Sequence, residues 1–216
     1  MRFMLFSKTE FEVSDAVALI ECYCFQCDFY KNYDLLLPAR SFEAVSKIGA
    51  RISEKQLEKC GKIIEDRIDL PIFKYNNNLD EFLGLSLRDE TIGNHVGELS
   101  NLIRELMDNI DGIRLSKATK ILHTRYPGIV PIIDNQLQNE YKQINKQWKG
   151  QASQILLDYY KNLKGEPNKR NLAQVYETVS KSVSHLTKLR VFDVPWWSFL
   201  KAKALKDKNK SMGLCT

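Results

Sequence analysis

The chain has 216 residues, of which 44% are hydrophobic and 27% are charged. These values exclude a disordered or low-complexity chain and allow a domain with a core of its own. No apolar run approaches the roughly 20 residues that a membrane-spanning helix needs. The five cysteines form an odd set, which favours free thiols in a reducing compartment. We therefore expect a soluble, cytoplasmic protein without a membrane partner.

Charge divides the chain into two halves. Residues 1–111 carry 13 Lys and Arg against 20 Asp and Glu, whereas residues 112–216 carry 19 against 7. We expect an acidic N-terminal helical layer (1–111) and a basic C-terminal layer (112–216), packed as one compact unit with a central cleft. A basic half of this size is typical of proteins that bind a polyanion. A solvated, lysine-rich surface would give the same pattern.

Hydrophobic periodicity predicts helices along nearly the whole chain. Ser53 and Gln56 have capping-box spacing, and Pro195 suits the first turn of a last helix. Strand signals are weak, because Pro131 interrupts the β-branched run. The sequence therefore predicts an all-α, multi-helix globular fold. The predicted helices cover residues 14–30, 41–49, 53–68, 79–87, 89–107, 116–125, 134–144, 151–163, 168–185, 187–194 and 196–205.

The most informative stretch runs from residue 110 to residue 122, Ile-Asp-Gly-Ile-Arg-Leu-Ser-Lys-Ala-Thr-Lys-Ile-Leu. A predicted helix precedes it, Gly112 makes a turn, and the small residue Ala118 follows six positions later. This pattern resembles a helix–hairpin–helix motif, whose backbone N–H groups and second-helix N-terminus face a DNA phosphate. An ordinary αα-hairpin in a helical bundle is the alternative. The residues expected to contact DNA are Gly112, Ile113, Arg114, Leu115, Ser116, Lys117, Ala118 and Arg125.

The segment after the hairpin extends the resemblance. Val130-Pro131-Ile132-Ile133-Asp134 resembles the Val-Pro-Val-Asp stretch of the endonuclease III and 8-oxoguanine DNA glycosylase superfamily, which brings a catalytic aspartate to the start of a helix. Asp134 lies eighteen residues after Ser116, the separation of the hairpin lysine and the aspartate in endonuclease III. The resemblance covers about residues 95–145. It implies a DNA N-glycosylase that acts on double-stranded DNA carrying a modified base.

Two departures from the family pattern affect the implied chemistry. Arg114 stands at the second hairpin glycine, and an Arg resists the left-handed backbone that Gly accepts. Ser116 stands at the lysine that forms a Schiff base with the sugar in bifunctional members. The resemblance therefore implies a monofunctional enzyme, with Lys120 as a second catalytic candidate beside Asp134. Only Cys215 lies in the C-terminal tail, so the iron–sulfur cluster of endonuclease III has no ligands here.

Asp134 has two interpretations. Breaking an N-glycosidic bond develops positive charge on the sugar, and a nearby carboxylate stabilises that charge or orients a water. The dipole of a helix N-terminus favours a carboxylate at this position. The alternative is a plain N-cap that accepts a hydrogen bond from a backbone N–H of the first helical turn.

A flipped base must also be held in a pocket. Trp196 and Trp197 are candidates for stacking on the base, with core packing of the last helix as the alternative. Asp193 is a candidate for contact with an exocyclic amine, or it caps a helix. His123 is a candidate partner for Asp134 or a phosphate, or it is a structural histidine.

The cysteine group Cys22, Cys24 and Cys27 invites a metal site, but only Cys24 and Cys27 share a helix face and no histidine lies nearby. Buried small hydrophobes are the preferred interpretation. We therefore expect no metal and no cofactor.

The sequence as a whole predicts a monomeric DNA glycosylase, in DNA repair or in defence against viral DNA with hypermodified bases. One alternative is a non-catalytic helix–hairpin–helix DNA-binding module, in which Asp134 is only a cap. Another is a helical protein that binds a partner and has no nucleic-acid role. The discriminating observation is whether Arg114, Lys117, Lys120 and Arg125 line one face with Asp134 at its rim.

Overall fold

The computed structural model describes residues 2–6, 9–12, 17–20, 49–85, 91–165, 168–181 and 187–211. Regular structure in these ranges is almost entirely helical, which confirms the predicted all-α fold class. A short 3-10 helix covers Pro71–Tyr75. The α-helices are α1 (Glu54–Glu65), α2 (Leu79–Gly84), α3 (Thr91–Asn109), α4 (Leu115–Arg125), α5 (Asn135–Ile144), α6 (Ala152–Lys164), α7 (Asn168–Val179) and α8 (Lys188–Ser211).

One small β-hairpin was not predicted. Strands β1 (Arg2–Leu5) and β2 (Thr9–Glu12) pair antiparallel, with Phe3 opposite Phe11. The alternation of Glu10, Phe11 and Glu12 was the available signal, but it is too short to stand out from helical periodicity. The hairpin leaves the fold class unchanged.

The start of α1 was predicted correctly, since Ser53 and Gln56 form the full capping box. The Gln56 N–H donates to Ser53 Oγ at 3.2 Å, and the Ser53 N–H donates to Gln56 Oε1 at 3.0 Å. The helix ends at Glu65 rather than near Ile68, because the chain turns over residues 66–69. Of the predicted helices 14–30 and 41–49, residues 17–20 are helical, Gly49 lies in a turn and the rest falls outside the described residues.

The predicted break at Pro195 is wrong. Helix α8 is continuous from Lys188 to Ser211, with Pro195 in its interior. Thr187 starts the helix, since its Oγ1 accepts from the Arg190 N–H at 3.3 Å. A proline inside a helix removes one backbone donor and usually kinks or breaks the helix. Here tertiary packing overrides that local preference, because the flanking residues Val194 and Trp196 are buried.

A single hydrophobic core joins the two halves of the chain. Helix α3, from the acidic half, packs against α4 and α6 of the basic half and against α1. Buried residues from both sides of the charge boundary at residue 112 belong to the same cluster, among them Phe82, Leu99, Leu122 and Tyr160. The boundary at residue 112 therefore divides the charge of the chain, whereas the hydrophobic cluster continues across it. No helix within the described ranges is long and apolar enough to cross a membrane.

Gly128 allows a close backbone approach that fixes the segment after α4. Its N–H donates to Asn76 Oδ1 at 2.9 Å. A Cβ atom on Gly128 would lie 1.6 Å from the Asn76 carbonyl oxygen. The loop after the 3-10 helix and the segment before Asp134 are thus in direct backbone contact, which only glycine permits at this point.

Gly128→Ala is therefore expected to destabilise the protein by about 1–3 kcal/mol, because the backbones must separate to admit the methyl group. The free energy of unfolding in urea measures this. Gly93→Ala is the matched control: Gly93 lies in α3, and a Cβ atom there would meet nothing within 4 Å, so alanine should stabilise by about 0.5–1 kcal/mol. Equal effects of the two substitutions would contradict the close approach.

Candidate active site

The connection between α3 and α4 is a tight hairpin anchored in the core. Gly112 has a φ of +75°, in the left-handed region that favours glycine. The Ile113 N–H donates to the Ile110 carbonyl at 3.1 Å and closes the turn. The side chains of Ile113 and Leu115 are buried. Their burial fixes the hairpin, and because the Ile113 N–H is already bonded, only the Leu115 backbone N–H of these two residues could face a ligand.

Arg114 fits the hairpin without strain. Its φ of −125° and ψ of 173° are extended, and it is the N-cap residue of α4. The expected conflict between Arg and a left-handed backbone therefore does not arise. The Arg114 side chain makes no cap hydrogen bond, so it does not occupy the first-turn N–H groups of α4. Ala118, one turn further, is fully buried, and α3 and α4 pack together.

The four basic residues proposed as a DNA-binding face do not all point to one free surface. Arg125 lies 3.5 Å from Glu65 of α1, and Lys120 donates to the Gly49 carbonyl at 3.3 Å. Arg114 is exposed and Lys117 is half-buried, as is Ser116. Glu65 of α1 therefore neutralises one of the four cations.

Helix α1 also contacts the hairpin backbone itself. Gln56 Nε2 donates to the Asp111 carbonyl at 2.7 Å. A Cβ atom on Gly112 would lie 3.0 Å from the same Nε2 atom. The amide side chain of Gln56 thus supports the turn from the α1 side. The two residues in this contact are 55 positions apart in the chain, and the sequence did not indicate it.

The two predicted catalytic residues, Lys120 and Asp134, interact electrostatically. Burial lowers the pKa of Lys120 below its usual value of 10.5, Asp134 opposes this shift, and Arg190 adds to it. A half-buried amine beside a carboxylate and a guanidinium is an environment in which a lysine changes its protonation state more easily than on an open surface.

Asp134 is the N-cap of α5. Its Oδ1 accepts from the Leu137 N–H at 2.9 Å, and the side chain is half-buried. The cap interpretation of Asp134 is therefore correct. It does not exclude a chemical role, because the cap bond engages only one of the two carboxylate oxygens.

The segment before Asp134 is held by buried side chains from several helices. The Ile133 N–H donates to Thr119 Oγ1 at 3.1 Å, and His123 Nδ1 bonds to the Val130 carbonyl at 2.6 Å. These hydrogen bonds restrict the backbone conformation of the segment, and they therefore fix the position of Asp134 relative to α4. Three further side chains bond to this segment: Thr187 to the Pro127 carbonyl, Tyr160 to the Ile129 carbonyl and Asp193 to the Ile132 N–H.

The residues predicted to form a base pocket lie mainly in the protein interior. Asp193, Trp196 and His123 are each at most 1% exposed, and Trp197 is partly buried against the core. Trp196 Nε1 donates to Asp193 Oδ1 at 3.3 Å. In this structure Trp196 is a core residue, so it could stack on a flipped base only after the core opened.

Asp193 is the centre of a buried polar cluster. It accepts from the Tyr159 hydroxyl, and Arg190 lies 3.5 Å away. Burial raises the pKa of Asp193 to about 6, while Arg190 and the hydrogen bonds from Tyr159 and Trp196 act in the opposite direction. Arg190 was not among the predicted site residues, yet it interacts electrostatically with His123, Lys120 and Asp193. The sequence signal that could have identified Arg190 is its three-residue spacing from Asp193 in an apolar helix.

His123 is a structural histidine that should make stability fall in acid. Burial and Arg190 lower its pKa to about 3, whereas an unfolded histidine has a pKa near 6.5. The unfolded state therefore binds more protons as the pH falls below about 6.5, and stability is lost down to about pH 3. Asp193 has the opposite effect on stability. Because its pKa is raised in the folded state, the folded protein gains stability as the pH falls from about 6 to about 3.8.

His123→Asn retains a donor for the Val130 carbonyl but does not titrate. We expect the variant to lose less stability than the wild type between about pH 7 and about pH 5, by on the order of 2 kcal/mol. Urea unfolding of both proteins at the two pH values measures this difference, and the contribution of Asp193 cancels in the comparison. Parallel pH profiles would contradict the buried, neutral state of His123.

Metal ligands do not converge anywhere in the described part of the chain. Cys60 is buried and free, and burial raises the pKa of its thiol to about 11, so it behaves as a small hydrophobe. The predictions for Cys22, Cys24, Cys27 and Cys215 lie outside the described residues.

A family model matches residues 77–199, more than half of the chain. The chain belongs to the DUF6308 family. That family is described as one of unknown function. Neither a curated protein nor a solved structure matches the chain. The DUF6308 match includes the hairpin, Lys120, Asp134 and the polar cluster around Asp193, so it covers nearly all of the candidate site and leaves out α1.

Proposed function

We propose that this DUF6308 protein is a DNA N-glycosylase of the helix–hairpin–helix type, which removes a modified base from double-stranded DNA. The observation that carries the proposal is the electrostatic interaction of Lys120, in the second helix of the hairpin, with the Asp134 carboxylate. Positions 120 and 134 come from different helices, and the intervening segment is held by buried side chains. Charged side chains also interact for structural reasons alone, but here an amine of lowered pKa interacts with a carboxylate in the chain segment that follows the hairpin.

The hairpin supplies the grip on DNA. The first-turn N–H groups of α4 and the turn at Gly112 form a site suited to one backbone phosphate. Arg114 and Lys117 add positive charge at the same end of the helix. Arg125 contributes less than the sequence indicated, because Glu65 already pairs with it.

Asp134 supplies the chemistry. With the base flipped out of the duplex, the bond between C1′ and the base nitrogen breaks, and its electron pair leaves with the base. The carboxylate stabilises the positive charge that develops on the sugar. A water molecule then adds to C1′ and its proton goes to the departing base, so the products are the neutral free base and an abasic site.

Coupled strand cleavage is a second candidate activity, and the lowered pKa of Lys120 favours it. A lower pKa leaves more of the amine neutral, and the neutral amine is the form that attacks C1′ to give a Schiff base. The serine at position 116, where the bifunctional enzymes have lysine, favours hydrolysis alone. Borohydride separates the two, because it traps a Schiff base as a covalent protein–DNA adduct.

The experiment that tests the proposal is incubation of excess protein with duplexes that each carry one modified base, with free base detected by mass spectrometry. The panel includes alkylated, oxidised, mismatched and hypermodified bases. The proposal predicts release of at least one base, with an abasic product. Salt-dependent DNA binding without release from any duplex would favour the non-catalytic binding module. The absence of both would favour a helical partner-binding protein.

A further inference from the structure

A pocket of about 490 Å³ lies at the opposite end of α5 from Asp134. Helix α5 has ten residues, which separates its two ends by about 15 Å. The pocket is therefore distinct from the site beside the hairpin. It is lined by Phe6, Tyr141, Ile144, Asn145, Lys146, Asp158, Lys161 and Asn162.

The floor of the pocket is apolar and aromatic. The rings of Phe6 and Tyr141 pack with centroids 4.7 Å apart, and both residues are buried. The Tyr141 hydroxyl donates to Asp158 Oδ2 at 2.5 Å, and Trp148 packs edge-on against the Tyr141 ring at 5.4 Å. These contacts hold the floor rigid, which favours a planar, apolar group on the ligand.

The rim of the pocket is polar and mainly basic. Lys146 and Lys161 are exposed cations, and Asp158 lies 3.7 Å from Lys161. Asn145 adds an amide that can donate and accept hydrogen bonds. Two further exposed cations are close to Lys146 in the chain, Lys142 in the last turn of α5 and Lys149 in the following loop. An anionic group on the ligand is therefore favoured at the rim.

We propose that this pocket binds a nucleotide. The base contacts Ile144 and the edges of Phe6 and Tyr141 that line the pocket, and the phosphate lies between Lys146 and Lys161. Asn145 and Asp158 are in position for the polar edge of the base or a sugar hydroxyl. The volume is within the range of small-molecule sites, roughly 300–1,000 Å³. An aromatic floor beside lysines is also the arrangement that binds unpaired nucleotides in single strands. The inference does not depend on glycosylase activity.

The test uses the full-length protein and three probes: thymidine monophosphate, inorganic phosphate and a thymidine oligonucleotide of about eight nucleotides. Calorimetric titration gives the dissociation constants. We expect the monophosphate to bind at least tenfold more tightly than phosphate, because only the monophosphate has a base for the floor. If only the oligonucleotide binds, the ligand is a nucleotide within a strand. If the monophosphate also binds, a free nucleotide is sufficient.

The Lys146→Glu substitution should weaken binding at least tenfold. This is measured with the nucleotide probe that the wild type binds. Lys169→Glu is the matched control, since it makes the same charge change on the exposed start of α7, outside the pocket. Thermal unfolding checks that both variants fold. Equal weakening by the two substitutions would overturn the pocket in favour of general attraction to a basic surface. A dissociation constant above about 1 mM for both nucleotide probes would overturn it as well.

Discussion

Asp134→Asn is expected to lower the rate of base release at least about a hundredfold, the size of effect seen when one group that stabilises transition-state charge is removed. The expected change in stability is small, because Asn and Asp are comparable N-cap residues and the Leu137 N–H keeps its acceptor. The substitution removes the charge and retains the cap. Single-turnover base release and urea unfolding of the same preparations measure the two effects.

Asp134→Ala provides the matched comparison. Alanine removes the charge and the cap together, so base release should fall as in Asp134→Asn while stability also falls by about 1 kcal/mol. The pair of variants separates the two roles of one side chain. Unchanged base release in Asp134→Asn would mean that the carboxylate is only a cap.

Asp193→Ala is expected to have the largest effect on stability, a loss of about 3–5 kcal/mol. The carboxylate lies beside the buried guanidinium of Arg190 and accepts from Tyr159, Trp196 and the Ile132 backbone. Removing it takes the Asp193 carboxylate away from a buried guanidinium, which costs far more than the pair itself contributes. The free energy of unfolding in urea measures the loss.

Glu177→Ala is the control for Asp193→Ala, because Glu177 is an exposed carboxylate on α7. We expect that substitution to change stability by less than about 0.5 kcal/mol. The loss of stability in Tyr159→Phe should lie between those of the two other variants. This substitution removes the hydrogen bond to Asp193 and leaves the Arg190–Asp193 ion pair. A loss below about 1 kcal/mol for Asp193→Ala would contradict the role of Asp193 as the centre of a buried network.

Local patterns predicted most of the helices, because their signals lie within a few residues of one another. The capping box at Ser53 and the cap at Asp134 are short-range features: the first formed as predicted, and the second is one of the two interpretations that the sequence offered for Asp134. The break at Pro195 was wrong because a local preference was outweighed by burial of the residues around it. The end of α1 was displaced by a turn that leaves little mark on hydrophobic periodicity.

The candidate site could be predicted only in part, for a related reason. The spacing from Gly112 and the family resemblance pointed to Lys120 and Asp134, which interact electrostatically in the structure. Whether a side chain faces solvent or the core depends on how helices dock, and this decided the burial of Trp196 and Asp193. The pairing of Arg125 with Glu65 joins residues 60 positions apart. No short-range pattern reports such a contact.

The most direct test of the central claim does not require knowledge of the excised base. Two duplexes are compared, one with a neutral tetrahydrofuran abasic analogue and one with a pyrrolidine analogue whose nitrogen carries the positive charge of the transition state. If Asp134 stabilises that charge, the wild type should bind the pyrrolidine duplex at least about a hundredfold more tightly, and Asp134→Asn should lose this preference. Equal binding of the two duplexes by the wild type would contradict a glycosylase mechanism centred on Asp134.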